Sequence, residues 1–270
     1  MSHGSWKRRL KRNVLETIAR LGYEVEKDTT IFPPYRIQKK VSLGNDPLAD
    51  AWTIRGGDIR TVFDVGAHVG QTAIWLADAY PDATIYSFEP DSESYARLQS
   101  VAQACPRIRT VNAAAGDFNG HADFFVNHFK ATNSLLKTRP GAERFLVHAD
   151  QMALEARTTV PVLTLDAFCA SESIDRLDLL KIDAQGYELR ILDGAQDTLK
   201  RLMVPLIYLE VCFVQWYEDQ PLFPDVYQYL YTRDYRLVWL YESGYQTHYY
   251  SVGANALFVH ERAGRRRAIE

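Results

Sequence analysis

Cysteine is scarce in this chain, with three residues among 270. Cys105, Cys169 and Cys212 are odd in number, lie far apart and have no CxxC spacing. Disulfide frameworks and structural zinc sites need paired or clustered cysteines, so neither is expected here. We therefore predict a protein of a reducing compartment, the cytoplasm.

Long apolar runs and a strong charge imbalance are also missing. No stretch reaches the roughly 18 apolar residues of a membrane span, and the N-terminus lacks the apolar core of a signal peptide. The net charge of −3 gives no sign of a nucleic-acid-binding surface. Basic residues cluster at 7–12 and 265–267, where solvated ends are favoured over a membrane or nucleic-acid contact. We expect no nucleic-acid partner and no stable membrane insertion.

The N-terminal residues predict a basic amphipathic helix over 5–21. Its apolar side chains recur every three or four residues and suit docking on the main domain or in a homodimer: Trp6, Leu10, Val14, Ile18 and Leu21. The next segment, 22–57, contains Pro and Gly pairs and is predicted to be an irregular lead-in or lid. The predicted division is 1–57 for this extension, 58–262 for the main domain and 263–270 for a basic tail.

The stretch TVFDVGAHVG at 61–70 predicts a buried strand, a tight turn and the start of a helix. Glycine at the turn lets the backbone adopt positive φ and lie against a ligand. A second predicted strand, 83–90, ends in Glu89, 23 residues after Gly66. In nucleotide-binding α/β folds an acid at this point accepts hydrogen bonds from a ribose, so the spacing favours an adenosine-containing ligand.

The loop DVGAHVG lacks the middle glycine of the GxGxxG fingerprint, which disfavours a nicotinamide or flavin dinucleotide. It resembles instead the S-adenosylmethionine loop of Rossmann-like methyltransferases, which passes beneath the amino-acid part of that cofactor. The carboxylate of Asp64 suits a ligand that carries a sulfonium and an ammonium. On this resemblance we assign five loop residues to the cofactor: Asp64, Gly66, Ala67, His68 and Gly70.

Strands alternate with helices from residue 61 onward, which predicts a mainly parallel sheet with ligands at the carboxyl ends of its strands. A third strand is predicted over 108–116 and is followed by Asp117 and Phe118. These two could bind the adenine amino group and stack on its ring, or Asp117 could be a plain turn residue. Two further strands, 121–127 and 158–165, could form a hairpin or an edge addition beside the cofactor.

The stretch LKIDAQGYE at 180–188, followed by ILDGA at 191–195, resembles the KxDxEGxE and xLxGA signature of FkbM-type S-adenosylmethionine-dependent methyltransferases. Other motifs match in order: FEP at 88–90, AAAGD at 113–117, NSL at 133–135, VPVLTLD at 160–166 and LEV at 209–211.

This resemblance implies a Rossmann-like fold, with a mainly parallel seven-stranded sheet, helices on both faces and an antiparallel last strand. It implies S-adenosylmethionine as cofactor, with Pro90, Ser134 and Asp183 added to its binding residues. It also implies methylation of a hydroxyl on a sugar, polyketide or similar natural product. One departure is Gln185, which stands where the family usually has Glu.

A hydroxyl is a poor nucleophile near neutral pH, so its methylation is expected to need a base. Two acids lie at or near the carboxyl ends of predicted strands, Asp183 and Glu210. Each is a candidate either for the base or for the group that positions the acceptor. Glu188 is equally suited to helix capping and to catalysis. Three histidines are secondary candidates for the base: His128, His148 and His248. Lys181 lies in a buried strand and is expected to have an acidic partner. Carboxylates at the strand ends would also allow a divalent ion with oxygen ligands as the minority alternative, but no spacing indicates such a site and none is assigned.

The acceptor pocket is predicted to come from the aromatic-rich C-terminal third, where half of the aromatic side chains are assigned to the pocket and half to the core. Its candidates are Trp216, Tyr217, Tyr241, Tyr245 and Tyr249. An N-methyltransferase, a non-catalytic nucleoside-binding module and a nicotinamide dehydrogenase are the alternatives to O-methylation.

Overall fold

The computed structural model describes residues 23–27, 35–39, 43–145, 148, 150–202, 204–245 and 250–264. The chain divides into two units, Met1–Asn45 and Asp46–Glu270. In the first unit, β1 (Tyr23–Lys27) pairs antiparallel with β2 (Tyr35–Lys39), so the prediction of an irregular segment is wrong for these residues. The predicted helix at 5–21, the homodimer contact through it and most of the basic tail lie outside the described residues.

The helices of the second unit are α1 (Pro47–Ile54), α2 (Gln71–Ala79), α3 (Ser92–Ala104), α4 (Leu165–Ser171), α5 (Glu188–Asp193), α6 (Gln196–Leu202), α7 (Phe223–Tyr231) and α8 (Glu261–Gly264). Its strands are β3 (Thr61–Val65), β4 (Thr84–Phe88), β5 (Ile108–Val111), β6 (Ala114–Ala115), β7 (Gly120–Asn127), β8 (Leu154–Leu163), β9 (Leu179–Ile182), β10 (Leu206–Cys212), β11 (Tyr235–Tyr245) and β12 (Ser251–His260). Among the described helices, none has the length and apolar character needed to cross a membrane.

Seven strands form the main sheet in the order β11-β12-β10-β9-β3-β4-β5. The pairs from β10 to β5 are parallel, whereas β12 runs antiparallel to both β10 and β11. Central strands such as TVFDV and LIYLEVC are nearly continuous apolar runs because both of their faces are covered. This order confirms the predicted fold class.

Alternate residues of the central strands enter two cores on opposite faces of the sheet. Phe63 and Ile182 belong to the core shared with α4, α5 and α7. Val62 and Leu179 belong to the core shared with α1, α2 and α3. Helices therefore cover both faces, and the carboxyl ends of the parallel strands stay free for a site.

The main domain begins earlier than predicted, at Asp46. This aspartate caps α1 by accepting hydrogen bonds from the backbone N–H of Leu48 at 2.8 Å and of Ala49 at 3.1 Å. Leu48 is buried, and its carbonyl accepts a hydrogen bond from the Tyr80 hydroxyl at 3.0 Å. Because α1 contributes to the core, it belongs to the main domain, and the predicted boundary after residue 57 places it in the N-terminal extension by mistake.

The predicted third strand is shorter than expected. β5 ends at Val111, and Ala114 pairs instead with Val162 in a second sheet of order β6-β8-β7. β7 and β8 in that sheet are antiparallel neighbours, as one of the two sequence interpretations proposed. The chain therefore leaves the main sheet just before the AAAGD motif.

Candidate active site

A cavity of about 230 Å³ opens at the carboxyl ends of β3, β4 and β9. Register places these ends side by side, because Val65 pairs with both Phe88 and Ile182. Seven of the residues that the sequence assigned to the cofactor line this cavity: Gly66, Ala67, His68, Glu89, Pro90, Ser134 and Asp183.

Gly66 makes the turn at the floor of the cavity possible. Its φ is +76°, and a Cβ built on it would lie 1.8 Å from the carbonyl oxygen of Asp183. No side chain fits there, so the turn backbone packs directly on the end of β9. The N–H groups of Gly66 and Ala67 donate to the Phe88 carbonyl at 3.1 and 3.0 Å, which ties the turn to β4 as well.

Gly70 does not line the cavity, contrary to the prediction. It is the N-cap of α2 with a φ of +93°, and an added Cβ would lie 3.0 Å from the side chain of Leu98 and 3.2 Å from that of Val101. Its role is to let α2 and α3 pack closely. The loop pattern did not distinguish this packing role from a ligand contact.

Glu89 is buried at the edge of the cavity, where both of its carboxylate oxygens are held. Oε2 accepts a hydrogen bond from the His68 N–H, and Oε1 accepts one from the Asp91 N–H, each at 2.8 Å. Burial raises the pKa of Glu89 to about 7, although these two N–H groups oppose the rise. Each oxygen keeps a lone pair, so the ionised carboxylate can accept hydrogen bonds from a bound diol.

Asp64 lies beneath the cavity and not in its wall. The carboxylate is fully buried, and its Oδ1 is 2.9 Å from Nζ of Lys181. Lys181 also donates to the Gly66 carbonyl at 3.0 Å, and this bond links the ion pair to the turn. Asp64 is therefore the acidic partner that was expected for Lys181. In this arrangement the Asp64 carboxylate faces Lys181 and does not line the cavity.

The charge of Lys181 is stabilised by several acids. Burial alone would lower the pKa of this ammonium, but the carboxylates of Asp64, Asp183 and Glu210 together raise it. Lys181 is thus a buried cation at the centre of a group of acids.

The amide of Gln185 joins two candidate catalytic acids. Its Nε2 donates to Oδ1 of Asp183 at 2.8 Å and to Oε2 of Glu210 at 3.2 Å, and its Oε1 accepts from the Tyr217 hydroxyl at 2.9 Å. The pKa of Glu210 is raised well above its usual range. Burial is the main cause, and the negative charges of Asp183 and Glu188 add to it. Asp183 and Gln185 line the cavity but Glu210 does not, so of these two predicted acids only Asp183 is placed to meet an acceptor.

Glu188 supports the turn that follows β9. Its Oε1 accepts hydrogen bonds from the N–H groups of Ala184 at 3.0 Å and Gly186 at 3.2 Å. The side chain is buried, which raises its pKa to about 7 against the effect of these N–H groups, and it does not line the cavity. Of the two roles predicted for Glu188, the structure supports the capping role.

Asp117 and Phe118 lie away from the cavity lining, so the predicted adenine contact does not fit. Asp117 accepts from Arg190 at 3.3 Å and, at the long distance of 3.5 Å, from the Tyr187 hydroxyl. Phe118 is 40% exposed. Because β5 ends at Val111, the cavity wall at this point is formed by the earlier Ala113, by Ala114 and by Ala115.

Residues 130–135 form a wall that the sequence analysis only partly anticipated. Ser134 donates to the Gln185 carbonyl at 2.7 Å and accepts from the Leu136 N–H at 3.0 Å, so it joins this wall to the turn after β9. Lys130 and Asn133 also line the cavity. Asn133 Oδ1 accepts from the Asn127 N–H at 2.8 Å, while its buried Nδ2 has no hydrogen-bond partner among the described residues.

Two of the three histidines considered as bases, His128 and His148, do not line the cavity. His128 is exposed and pairs with Glu155 at 2.9 Å, His148 is exposed, and His248 lies outside the described residues. The histidine that does line the cavity is His68, whose pKa is lowered by burial.

None of the described aromatic side chains of residues 207–250 lines this cavity. Tyr217 and Tyr241 are buried, and the Tyr241 hydroxyl donates to Asp50 at 2.5 Å, so both pack in the interior. The side chains of Tyr245 and Tyr249 lie outside the description, and Trp216 packs beside Met152 and Tyr217. The aromatic side chains in the cavity wall come from elsewhere: Phe88, Phe124 and Tyr187.

No group of three or more His, Cys, Asp or Glu side chains in the described part of the chain is arranged to hold a metal ion.

The fold is similar to those of solved methyltransferase structures. An rRNA methylase from Streptococcus thermophilus covers 81% of this chain and 99% of its own, with a TM-score of 0.44 and 10% identity. Magnesium protoporphyrin IX methyltransferase from Synechocystis PCC 6803, solved with bound SAM, covers 97% of this chain and 86% of its own, with a TM-score of 0.41 and 11% identity.

Sequence comparison gives a closer relationship. The 2-O-methyltransferase NoeI of Sinorhizobium fredii (strain NBRC 101917 / NGR234) is 25% identical over 166 residues, which are 59% of this chain and 66% of that relative. The chain thus spans slightly less than two thirds of the relative's length. Residues 64–237 match the family described as the methyltransferase FkbM domain. This match covers more than half of the chain and includes the turn after β3, Glu89 and the Asp183 cluster, and the protein therefore belongs to the FkbM methyltransferase family.

Proposed function

We propose that the protein is an S-adenosylmethionine-dependent O-methyltransferase that acts on a hydroxyl group of a saccharide or another small natural product. The observation that carries this proposal is the meeting, in one cavity, of the Gly66 turn, the Glu89 carboxylate and the Asp183 carboxylate. The relative NoeI is a 2-O-methyltransferase, which supports oxygen as the atom methylated.

The residues present fit such a cofactor. Glu89 offers oxygens for ribose hydroxyls, and the alanines at 113–115 with Phe88 offer an apolar wall for adenine. The unpaired buried Nδ2 of Asn133 supplies a hydrogen-bond donor whose burial is costly without a ligand. When bound, S-adenosylmethionine supplies a methyl group on a sulfonium that carries its own leaving group.

Asp183 is the residue proposed to act on the acceptor. Its Oδ1 is held by Gln185, and among the described residues no hydrogen bond is donated to its Oδ2. That oxygen is therefore free to accept the proton of an acceptor hydroxyl as the hydroxyl becomes a nucleophile. Alignment of the acceptor hydroxyl with the methyl group in the cavity supplies the rest of the rate enhancement.

Transfer of radiolabelled methyl groups from the cofactor to a panel of saccharides, hydroxylated natural products and amines tests this function. Asp183→Asn is expected to bind S-adenosylhomocysteine as the wild type does but to lose turnover. Asp117→Asn, which alters an acid outside the cavity, is the matched control and should retain activity. Full activity in Asp183→Asn would refute the assignment of the base, and transfer to nitrogen-containing acceptors alone would refute O-methylation.

A further inference from the structure

The side chain of Gln185 stands at an unusual backbone position. Its φ is +53°, in the left-handed region that glycine favours, and the following residue, Gly186, has a φ of +95°. A long side chain in this conformation carries a conformational cost, which the surrounding contacts must offset. The backbone carbonyl of Gln185 accepts from the Ser134 hydroxyl at 2.7 Å, and its side-chain amide makes the other hydrogen bonds.

Every polar atom of that amide has a partner. Its two N–H bonds point to Asp183 and Glu210, and its oxygen accepts from Tyr217. The Tyr217 hydroxyl has one hydrogen and two acceptors within reach, Gln185 Oε1 at 2.9 Å and the Thr132 carbonyl at 2.8 Å. When this hydrogen is donated to Gln185, it favours the amide orientation that turns Nε2 to the acids.

We propose that Gln185 is a positioning residue, which holds the Asp183 carboxylate at the cavity wall by bridging it to Glu210. The inference rests on the proposed function of Asp183. A neutral amide places two donors between two acids, whereas a carboxylate at residue 185 would add a third negative charge at the same point. Gln185 acts through Asp183 and has no proton of its own to exchange with the acceptor.

The environment of Asp183 makes this support necessary. The acids Asp64, Glu188 and Glu210 surround it, and Lys181 supplies a positive charge. The other titratable groups that interact with Asp183 are His68, Tyr208, Cys212 and Tyr217. In such a group of acids, an amide that donates to two carboxylates offsets part of the repulsion between them.

Titration of Asp183 in the ligand-free protein tests the proposal without any acceptor. The carboxyl carbons of aspartate are labelled with ¹³C, and the Asp183 signal is identified by its loss in Asp183→Asn. In Gln185→Met, which keeps the length but not the amide, and in Gln185→Glu, the midpoint for Asp183 should rise by about one pH unit or more. Gln196→Glu adds the same charge at an exposed residue of α6 and should leave the midpoint unchanged.

Tyr217→Phe provides a second, milder variant that keeps the buried ring and leaves Gln185 in place. It should raise the midpoint in the same direction but by less, because the amide loses its fixed orientation. The acid limb of the methyl-transfer pH profile should move upward with the midpoint in each variant. If Asp183 titrates as in the wild type in both Gln185→Met and Tyr217→Phe, the positioning role is wrong, whatever the turnover. Shifted midpoints without turnover on any acceptor would instead overturn the proposed function and leave the bridge intact.

Discussion

Removing the buried cation beneath the turn should destabilise the protein strongly. Lys181 and Asp64 are 6% and 0% exposed in their side chains, and their charged atoms lie 2.9 Å apart. Lys181→Met leaves the Asp64 carboxylate buried without its partner, which costs about 3–5 kcal/mol. For a unit of this size each kcal/mol lowers Tm by about 2–4 °C, so we expect a drop of roughly 6–20 °C.

Urea unfolding of four proteins measures this coupling: wild type, Lys181→Met, Asp64→Asn and the double variant. Because the double variant leaves neither charge unpaired, it should be more stable than Lys181→Met alone. A loss below about 1 kcal/mol in Lys181→Met, or strictly additive losses in the double variant, would refute the buried ion pair as described.

The same substitution should also weaken ligand binding, since Lys181 Nζ holds the Gly66 carbonyl at 3.0 Å. Leu206→Ala is the matched control, because it destabilises the buried amino end of β10 by about 2–5 kcal/mol without touching the turn. Titration calorimetry with S-adenosylhomocysteine, at a temperature where both variants are folded, should detect the loss in Lys181→Met alone. Equal affinities of the two variants for S-adenosylhomocysteine would show that the ion pair does not support the binding site.

Three further substitutions test individual parts of the site. The affinity of the wild type for S-adenosylhomocysteine should rise as pH increases through about 7, because the ionised Glu89 is the better acceptor, and calorimetry should find weaker, pH-independent binding in Glu89→Gln. Glu188 has a pKa of about 7 in the folded protein and 4.5 in the unfolded chain, so the wild type loses stability as pH rises between these values. Urea unfolding should therefore find that Glu188→Gln gains on the order of 3 kcal/mol relative to the wild type over that interval, and a constant difference would contradict the burial effect. Gly66→Ala should abolish binding by displacing the end of β9, whereas Gly141→Ala, also at positive φ but with nothing within 4 Å of the new Cβ, should cost about 1 kcal/mol and bind normally.

The parts of the site that the sequence predicted lie where strands end. Gly66, Glu89 and Asp183 each follow an apolar strand, and parallel strands bring such residues together whatever the intervening loops do. Their placement needed only the strand pattern and the known behaviour of parallel sheets. The same reasoning predicted the alternation of strands and helices, whereas the antiparallel last strand was implied by the resemblance to the FkbM family.

The parts that it missed depend on contacts between distant segments. Phe124 and Asn133 reach the cavity because β6, β7 and β8 form a separate sheet beside it, and no local pattern sets that position. Asp117 lies outside the cavity lining because β5 ends five residues before the end of the predicted strand. The amide bridge of Gln185 could not be predicted either, since it joins residues 183, 210 and 217 through side-chain geometry alone.

A crystal structure of the protein grown with S-adenosylhomocysteine tests the cavity most directly. We predict density for the ligand between the Gly66 turn and residues 130–135, with its ribose hydroxyls on Glu89 and its sulfur side directed to Asp183. Density for the ligand elsewhere on the protein, or an orientation that places Glu89 and Asp183 out of contact with it, would contradict this assignment of the cavity.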